Sequence, residues 1–305
     1  MNPLIVPLLG IYVGSIQLAL ILPAFAAYRV YQYGILDSVG LSIILVLAVA
    51  TFTPLFTSKW TDKLIALTTS GCAEHCPFTV VHEDEEALKP GTSYVFGFEP
   101  HSALPIGIPT TFSVNSPLVP KAVRGSVYGM ASSVCFVVPF VRHLWWWIGL
   151  RPASRSLIDR MLSNKISVVI CPGGVRECLT MEPGLETVYL RKRQGFVRMA
   201  LKHGAPLVPV FALGQSKTYS WWRPPGVDWI SRKFQAVPLL MWGALGTPVP
   251  HRSPVKVVIG KPIQVPKVEE PSSEQVDHYL QTFISELSAL FERHNEASKT
   301  QLRIL

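Results

Sequence analysis

Charge is what this sequence has least of. Asp, Glu, Lys and Arg make up 16% of its 305 residues, against about 25% in a typical soluble domain. The shortage implies that much of the surface never meets water. Other absences narrow the function. No Asn-X-Ser/Thr sequon occurs, as expected if the bulk of the chain faces the cytosol. No Gly-X-Ser-X-Gly elbow is present, which argues against a serine hydrolase of the usual kind. No Gly-X-Gly-X-X-Gly is present, which argues against a dinucleotide enzyme. Zinc-finger spacing, recognition-motif signatures and long Lys/Arg tracts are missing, so no nucleic acid is expected as a partner. Cysteine is scarce and odd in number: Cys72, Cys76, Cys135, Cys171 and Cys178. Two of them sit in apolar strand-like runs, so no disulfide framework is expected. Cys72-Ala-Glu-His-Cys76 has metal-like residue types but no second ligand pair, so no metal site is assigned.

The charge that is present is uneven. The net charge is +8, and residues 151–305 hold 21 of the 28 Lys+Arg and 12 of the 20 Asp+Glu. A basic, apolar chain suits an anionic membrane or a polyanionic substrate. Residues 3–28 and 38–58 carry no charged side chain. Each is long enough to approach the roughly 30 Å hydrocarbon thickness of a bilayer. Between them lies a polar-aromatic link with Arg29, Tyr31, Tyr33 and Asp37, and tyrosine suits the headgroup layer. The first residues have no Lys or Arg, unlike a cleaved signal peptide. The expectation is a two-helix membrane hairpin over 1–58, with Lys59 and Lys63 keeping both ends on the cytosolic side. Pro23 and Pro54 leave room for a shallow hairpin that enters one leaflet and returns. Two buried helices of a globular core are the alternative.

From about Thr61 the pattern changes to short apolar runs between Pro and Gly, defining a second unit, 59–305. Residues 78–82, 93–98, 166–171, 207–212 and 255–259 read as β-branched strands bounded by turn residues. Helical spacing lies between them, around 154–165 and 191–203. The alternation predicts an α/β fold, a mixed sheet flanked by helices. A last helix follows Pro271, with Ser272 and Gln275 forming a capping box. Val276, Leu280, Phe283, Leu287 and Leu290 recur on its core-facing side. Two apolar stretches, 134–149 with three consecutive Trp and 236–246, fit an acyl channel, a membrane surface or plain core packing.

Three constellations carry chemistry. A strand ends at Glu99, and His101 follows in the turn. A side chain there is rigidly held yet reachable, and a histidine near a carboxylate is a candidate general base. Cys171-Pro-Gly-Gly-Val-Arg-Glu177 also follows a strand. Its Gly173 and Gly174 let backbone N–H groups approach a ligand. Arg176 supplies a cation, and Glu177 can orient it or cap the next helix. Arg191, Lys192, Arg193 and Arg198 form the densest basic cluster, suited to phosphates or headgroups, or simply to a solvated helix start. A buried strand through Val208-Pro-Val-Phe-Ala-Leu-Gly-Gln215 can frame the site.

Glu99-Pro-His-Ser102, Pro172-Gly-Gly-Val-Arg-Glu177, Arg193-Gln-Gly-Phe-Val-Arg198 and Val208-Pro-Val-Phe-Ala-Leu-Gly-Gln215 occur in this order. The set resembles the type-2 diacylglycerol acyltransferase family, and its Glu-Pro-His-Ser form resembles plant and algal members. The resemblance covers about 60–265 plus the hairpin. It implies a glycerolipid-acyltransferase-like fold and an acyltransferase domain over 59–305. It also implies acyl-CoA as substrate rather than cofactor, diacylglycerol as acceptor, and triacylglycerol made at the endoplasmic reticulum membrane or a lipid droplet. The motif residues Pro100, Ser102, Gly195 and Phe196 join Gly173, Gly174, Arg176 and the basic cluster as candidate substrate-binding residues. Related acyltransferases carry His-X4-Asp, whereas position 106 here is Ile. The carboxylate that orients His101 must therefore come from elsewhere, and Glu99 and Glu177 are the candidates. Monoacylglycerol or a long-chain alcohol as acceptor, a lipid hydrolase using His101 on water, and a non-catalytic lipid-binding protein are the competing readings. A homo-oligomer is left open.

Overall fold

The structure is a computed structural model, and it describes residues 5–113, 116–227, 229, 231, 237, 239–295 and 300–305. Its centre is a seven-stranded sheet. The strands are β1 (Phe78–His82), β2 (Val95–Glu99), β3 (Val127–Ala131), β4 (Leu150–Pro152), β5 (Ser167–Ile170), β7 (Leu207–Leu213) and β10 (Val255–Ile259), in the order β1-β10-β7-β2-β5-β3-β4. Every neighbouring pair is parallel except β10 with β7. The fold is thus mixed α/β with a central sheet flanked by helices.

Alternation along the central strands divides the core in two. Phe96 and Phe98 of β2, with Val208, Val210 and Ala212 of β7, face one hydrophobic cluster. That cluster includes α1 (Ile5–Tyr33), α3 (Lys59–His75) and α4 (Gly107–Phe112). Val95, Leu207, Phe211 and Leu213 face the other, built with α6 (Arg155–Ser163), α8 (Gly195–His203) and α9 (Ser273–His294). All five apolar positions expected along α9 are buried, and the Ser272–Gln275 capping box forms. The five strands expected from sequence are present within one or two residues of their limits. The helix expected over 191–203 begins only at Gly195.

Several elements escaped the sequence reading. The helix α3 has a Ser58–Thr61 capping box, but its apolar positions are too sparse for a clear stripe. Short β6 (Leu185–Val188) pairs in parallel with β11 (Gln301–Ile304). The last four residues are engaged in this ladder and its neighbouring loop: Leu305 accepts from the N–H groups of Leu190 and Arg191. A separate ribbon joins β8 (Ser220–Trp222) to β9 (Leu240–Trp242).

The amino-terminal hairpin needs revision. Ile5, Leu9 and Val13 in the first half of α1 are buried in the first of the two core clusters. Gln17 Nε2 donates to Met241 O at 2.9 Å. Among the described residues no single helix is long and apolar enough to cross a membrane; the two halves of α1, bent between them, pass that test only together. The helix α2 (Ser38–Phe52) has 15 residues, roughly 22 Å at about 1.5 Å per residue. Pro54 ends it, because the residue before a proline avoids helical geometry and Thr53 is extended. The link between the helices is held by Arg29, whose guanidinium forks onto Asp37 at 2.6 and 3.1 Å, while Asp37 caps Gly40 N–H.

The triple-Trp stretch is a clamp on this hairpin. It forms a short turn and then α5 (Val141–Trp147). Arg142 donates to the carbonyls of Thr51 and Thr53, the open end of α2, where a cation is favoured. Trp147 Nε1 donates to Phe56 O at 2.8 Å. In the second stretch, residues 236 and 238 lie outside the described residues; Leu240, Trp242 and Leu245 are exposed, so these three are surface rather than core.

Gly97 is the tightest packing point of the sheet. A Cβ there would stand 2.3 Å from Phe283 Cζ of α9, which real contacts do not tolerate. Gly97→Ala is therefore expected to destabilise by about 1–3 kcal/mol. Adding Phe283→Leu should recover part of that loss beyond what the two single variants predict by addition. A thermal-melting double-mutant cycle checks this, and strict additivity would refute the packing argument.

Candidate active site

Two loops leave neighbouring parallel strands at the same sheet edge, and they meet. The strand β2 ends at Glu99 and runs through a cis peptide into Pro100, His101 and Ser102 before α4. The strand β5, in register with it (Gly97 opposite Ile170), ends one residue before Cys171. The Pro172-Gly-Gly turn follows, then α7 (Gly174–Thr180). Carboxyl ends of adjacent parallel strands are where α/β sheets place ligands.

Glu177 ties the loops together. Its Oε1 accepts the backbone N–H of His101, and its Oε2 accepts Tyr189 N–H at 3.3 Å. Behind it, Glu99 Oε1 accepts Gly173 N–H at 3.2 Å. The Gly-Gly turn is explained by these contacts. A Cβ at Gly173 would lie 2.3 Å from Glu177 Oε2, and Gly174 has φ +48°, open to glycine at little cost. Both carboxyls are buried and close enough to share a hydrogen bond, which requires a proton on one of them. Burial pushes Glu99 well above the usual carboxylate range, and the charge of Glu177 raises it further. Burial also raises Glu177, while hydrogen bonding to Glu99 and attraction to His101 oppose that rise. Glu177 accepts two backbone N–H groups and Glu99 one, so charge is better held at Glu177 and the proton at Glu99.

The ring of His101 is oriented by neither carboxylate. Its Nδ1 lies 2.9 Å from the carbonyl oxygen of Ser102 and 3.2 Å from Cys178 Sγ. A carbonyl can only accept, so Nδ1 carries the proton and Nε2 the lone pair. Ile106, at the position of the related enzymes' aspartate, is buried in the hydrophobic core. Gln215, noted in sequence only as part of a motif, braces the same turn. Its Nε2 donates to Pro100 O at 2.5 Å and its Oε1 accepts Gly107 N–H at 2.8 Å. These partners lie more than a hundred residues from Gln215 in sequence, so no local pattern could have identified them.

The other expected site residues scatter. Gly173 N–H is engaged by Glu99 and so does not itself approach a ligand. Arg176 is exposed on α7, and Glu177 turns away from it to His101 and Tyr189. Of the basic cluster, only Arg193 turns inward: its Nη2 donates to Gly173 O at 2.9 Å, and burial lowers its pKa. Arg191 reaches Ile304 O, Lys192 is exposed, and Arg198 holds Pro271 O ahead of α9. Gly195 is exposed at the start of α8. Phe196 is a core residue, edge-on to Phe283 with ring centroids 5.1 Å apart. A cavity of about 100 Å³ opens beside the His101 turn, lined in part by Pro100, Ser102, Glu186, Ser216 and Trp221.

The raised carboxyls predict a pH dependence. The folded chain keeps a proton that unfolded glutamates lose above about pH 4.3. Their contribution to stability is full below that pH and declines as pH rises through the raised folded values. Glu99→Gln, neutral and of the same shape, should flatten this decline between pH 4 and 8. A melting-temperature profile as steep in the variant as in the parent would contradict the assignment.

The match to known proteins is extensive. The family model for diacylglycerol acyltransferase matches residues 50–303. Diacylglycerol O-acyltransferase 2 of Xenopus tropicalis is 34% identical over 233 residues, which cover 68% of this chain and 62% of the relative. Diacylglycerol O-acyltransferase 2-like protein 6 of Mus musculus is 33% identical over 246 residues, 72% of each chain. The chain thus spans under two thirds of the length of the Xenopus relative. A crystal structure of PlsC, the 1-acyl-sn-glycerophosphate acyltransferase of Thermotoga maritima, aligns over 96% of this chain and 99% of its own. Its 16% identity and TM-score of 0.46 are too low to carry an argument. On the family match and the shared sequence, the chain belongs to the diacylglycerol acyltransferase family.

Proposed function

We propose that this protein transfers an acyl group from acyl-CoA to the free hydroxyl of diacylglycerol, forming triacylglycerol, with His101 Nε2 as the general base. The observation that carries the reading is the hydrogen bond from His101 Nδ1 to the Ser102 carbonyl, which leaves Nε2 as acceptor on a half-buried ring at the strand edge. The names of the relatives support the substrates.

The step balances as a direct transfer. The acceptor hydroxyl gives its proton to Nε2 while its oxygen attacks the thioester carbonyl. The tetrahedral intermediate collapses with cleavage of the carbon–sulfur bond. The leaving CoA thiolate takes the proton from the imidazolium. Glu177, charged and close to His101, stabilises that imidazolium while it exists. Arg193, half-buried behind the Gly-Gly turn, and the exposed Arg176, Arg191 and Lys192 remain candidates for the CoA phosphates.

The second half of α1 and α2 would contact the bilayer, since they expose Ile21, Phe25, Ile44, Leu45 and Val49. This reading sets the catalytic domain against the endoplasmic reticulum membrane on its cytosolic side, with lipid droplets as a further location. Monoacylglycerol or a long-chain alcohol would be acylated by the same steps, because the chemistry uses only one hydroxyl. A non-catalytic lipid-binding protein would have no use for a histidine held in one tautomer.

His101→Ala should lower transfer from labelled oleoyl-CoA to diacylglycerol by about 100- to 10,000-fold without lowering the melting temperature or the amount of protein in the membrane. Near-normal turnover in the purified variant would remove His101 from the mechanism. Free fatty acid as the main product with acceptor present would favour a hydrolase.

A further inference from the structure

The cavity beside the His101 turn is used by no step above. Pro100 and Ser102, either side of His101, line it together with the segment 181–187, Ser216, Lys217 and Trp221. We propose that this cavity holds the glycerol backbone of the acceptor lipid, with Ser102 donating to an ester oxygen and Glu186 accepting from a second free hydroxyl where the acceptor carries one. The proposal rests on the acyl-transfer reading.

Polarity separates this space from a second cavity among the described residues. That smaller one, about 30 Å³, lies between α1, α3 and α4 among Leu9, Val13, Ile106 and Ile148, surroundings that suit a hydrocarbon chain. The cavity at His101 has room for several waters and therefore for a three-carbon backbone with its oxygens. Its lining mixes the hydroxyls of Ser102, Thr187 and Ser216 and the Glu186 carboxyl with apolar Met181, Pro183 and Leu185.

Two of those groups point to a ligand. Ser102 is 4% exposed, and its hydroxyl has no hydrogen-bond partner among the described residues. A buried hydroxyl left unpaired costs about 1–3 kcal/mol, and an ester oxygen in the cavity would satisfy it. Its backbone is held at φ +57°, a conformation uncommon for any residue but glycine. Glu186 is 2% exposed and accepts from Ser216 Oγ at 2.6 Å. Burying a carboxyl is costly, and burial raises its pKa, opposed by Ser216 and Lys217. Both groups line the cavity that Pro100 and Ser102, the two residues flanking His101, also line.

Chemistry distinguishes the possible acceptors. Diacylglycerol offers this cavity ester oxygens, which need donors. Monoacylglycerol adds a free hydroxyl, which also needs an acceptor. Hexadecanol offers nothing. Ser102→Gly removes the hydroxyl at a backbone position that suits glycine. It should lower the ratio of kcat/KM for diacylglycerol over hexadecanol by about three- to tenfold, the worth of one hydrogen bond. Dioctanoylglycerol binding to the purified protein should weaken by a similar factor. Glu186→Gln replaces an accepting oxygen with a donating amide, and should raise the ratio of diacylglycerol over monoacylglycerol by about threefold or more. Melting curves of both variants confirm that they fold. Ratios and binding within twofold of the parent would overturn the proposal. If the parent protein acylates no alcohol yet binds dioctanoylglycerol in a Ser102-dependent way, the cavity assignment stands and the reaction assignment falls.

Discussion

The contact from the His101 backbone N–H to the Glu177 carboxylate holds this site together. It joins the loop after β2 to the loop after β5, two chain segments 76 residues apart. Everything nearby is arranged around it. Gly173 lacks a side chain because Glu177 occupies that space. Glu99 keeps its proton because a second charge beside Glu177 would be unfavourable in a buried place. Arg193 turns inward behind the pair, at the carbonyl of Gly173, while its neighbours in sequence stay outside. Gln215 then fixes the far side of the same turn by bonding both Pro100 and Gly107.

This arrangement separates two jobs that a His-X4-Asp pair would combine. The ring of His101 takes its tautomer from a backbone carbonyl, and the carboxylate acts on the backbone and on the charge that forms later. Ile106 can then belong to the core without cost to the ring. The same surroundings make the adjacent thiols poor nucleophiles. Burial pushes Cys171 and Cys178 up, and the nearby glutamates push them further, so neither is a ready thiolate. Direct attack by the acceptor alcohol, the mechanism proposed above, asks nothing of either thiol.

What could be read from sequence was local. The strands at 78–82 and 255–259 are β-branched runs with turn residues at their ends, and the capping box at Ser272 is a four-residue pattern. His101 and Glu177 stood out because each follows a strand in a turn. The partners of these residues were hidden, because register between β2 and β5 decides which side chains meet. The basic residues spread out for a physical reason. Like charges repel, and Arg191, Arg193 and Arg198 each settle on a different backbone carbonyl instead of forming one patch. Hydropathy does not reveal that Ile5, Leu9 and Val13 find a protein core to pack against, nor that α2 ends at Phe52, ahead of Pro54.

The central claim is that the acceptor hydroxyl, deprotonated by His101, attacks acyl-CoA with no intermediate acyl group on the protein. Rapid mixing of purified protein with labelled oleoyl-CoA, without acceptor, tests it most directly. The account predicts no protein-bound label and no burst of free CoA until diacylglycerol is added, when both products appear together. A burst of CoA matching the amount of protein, with the acyl label retained on the chain, would contradict it.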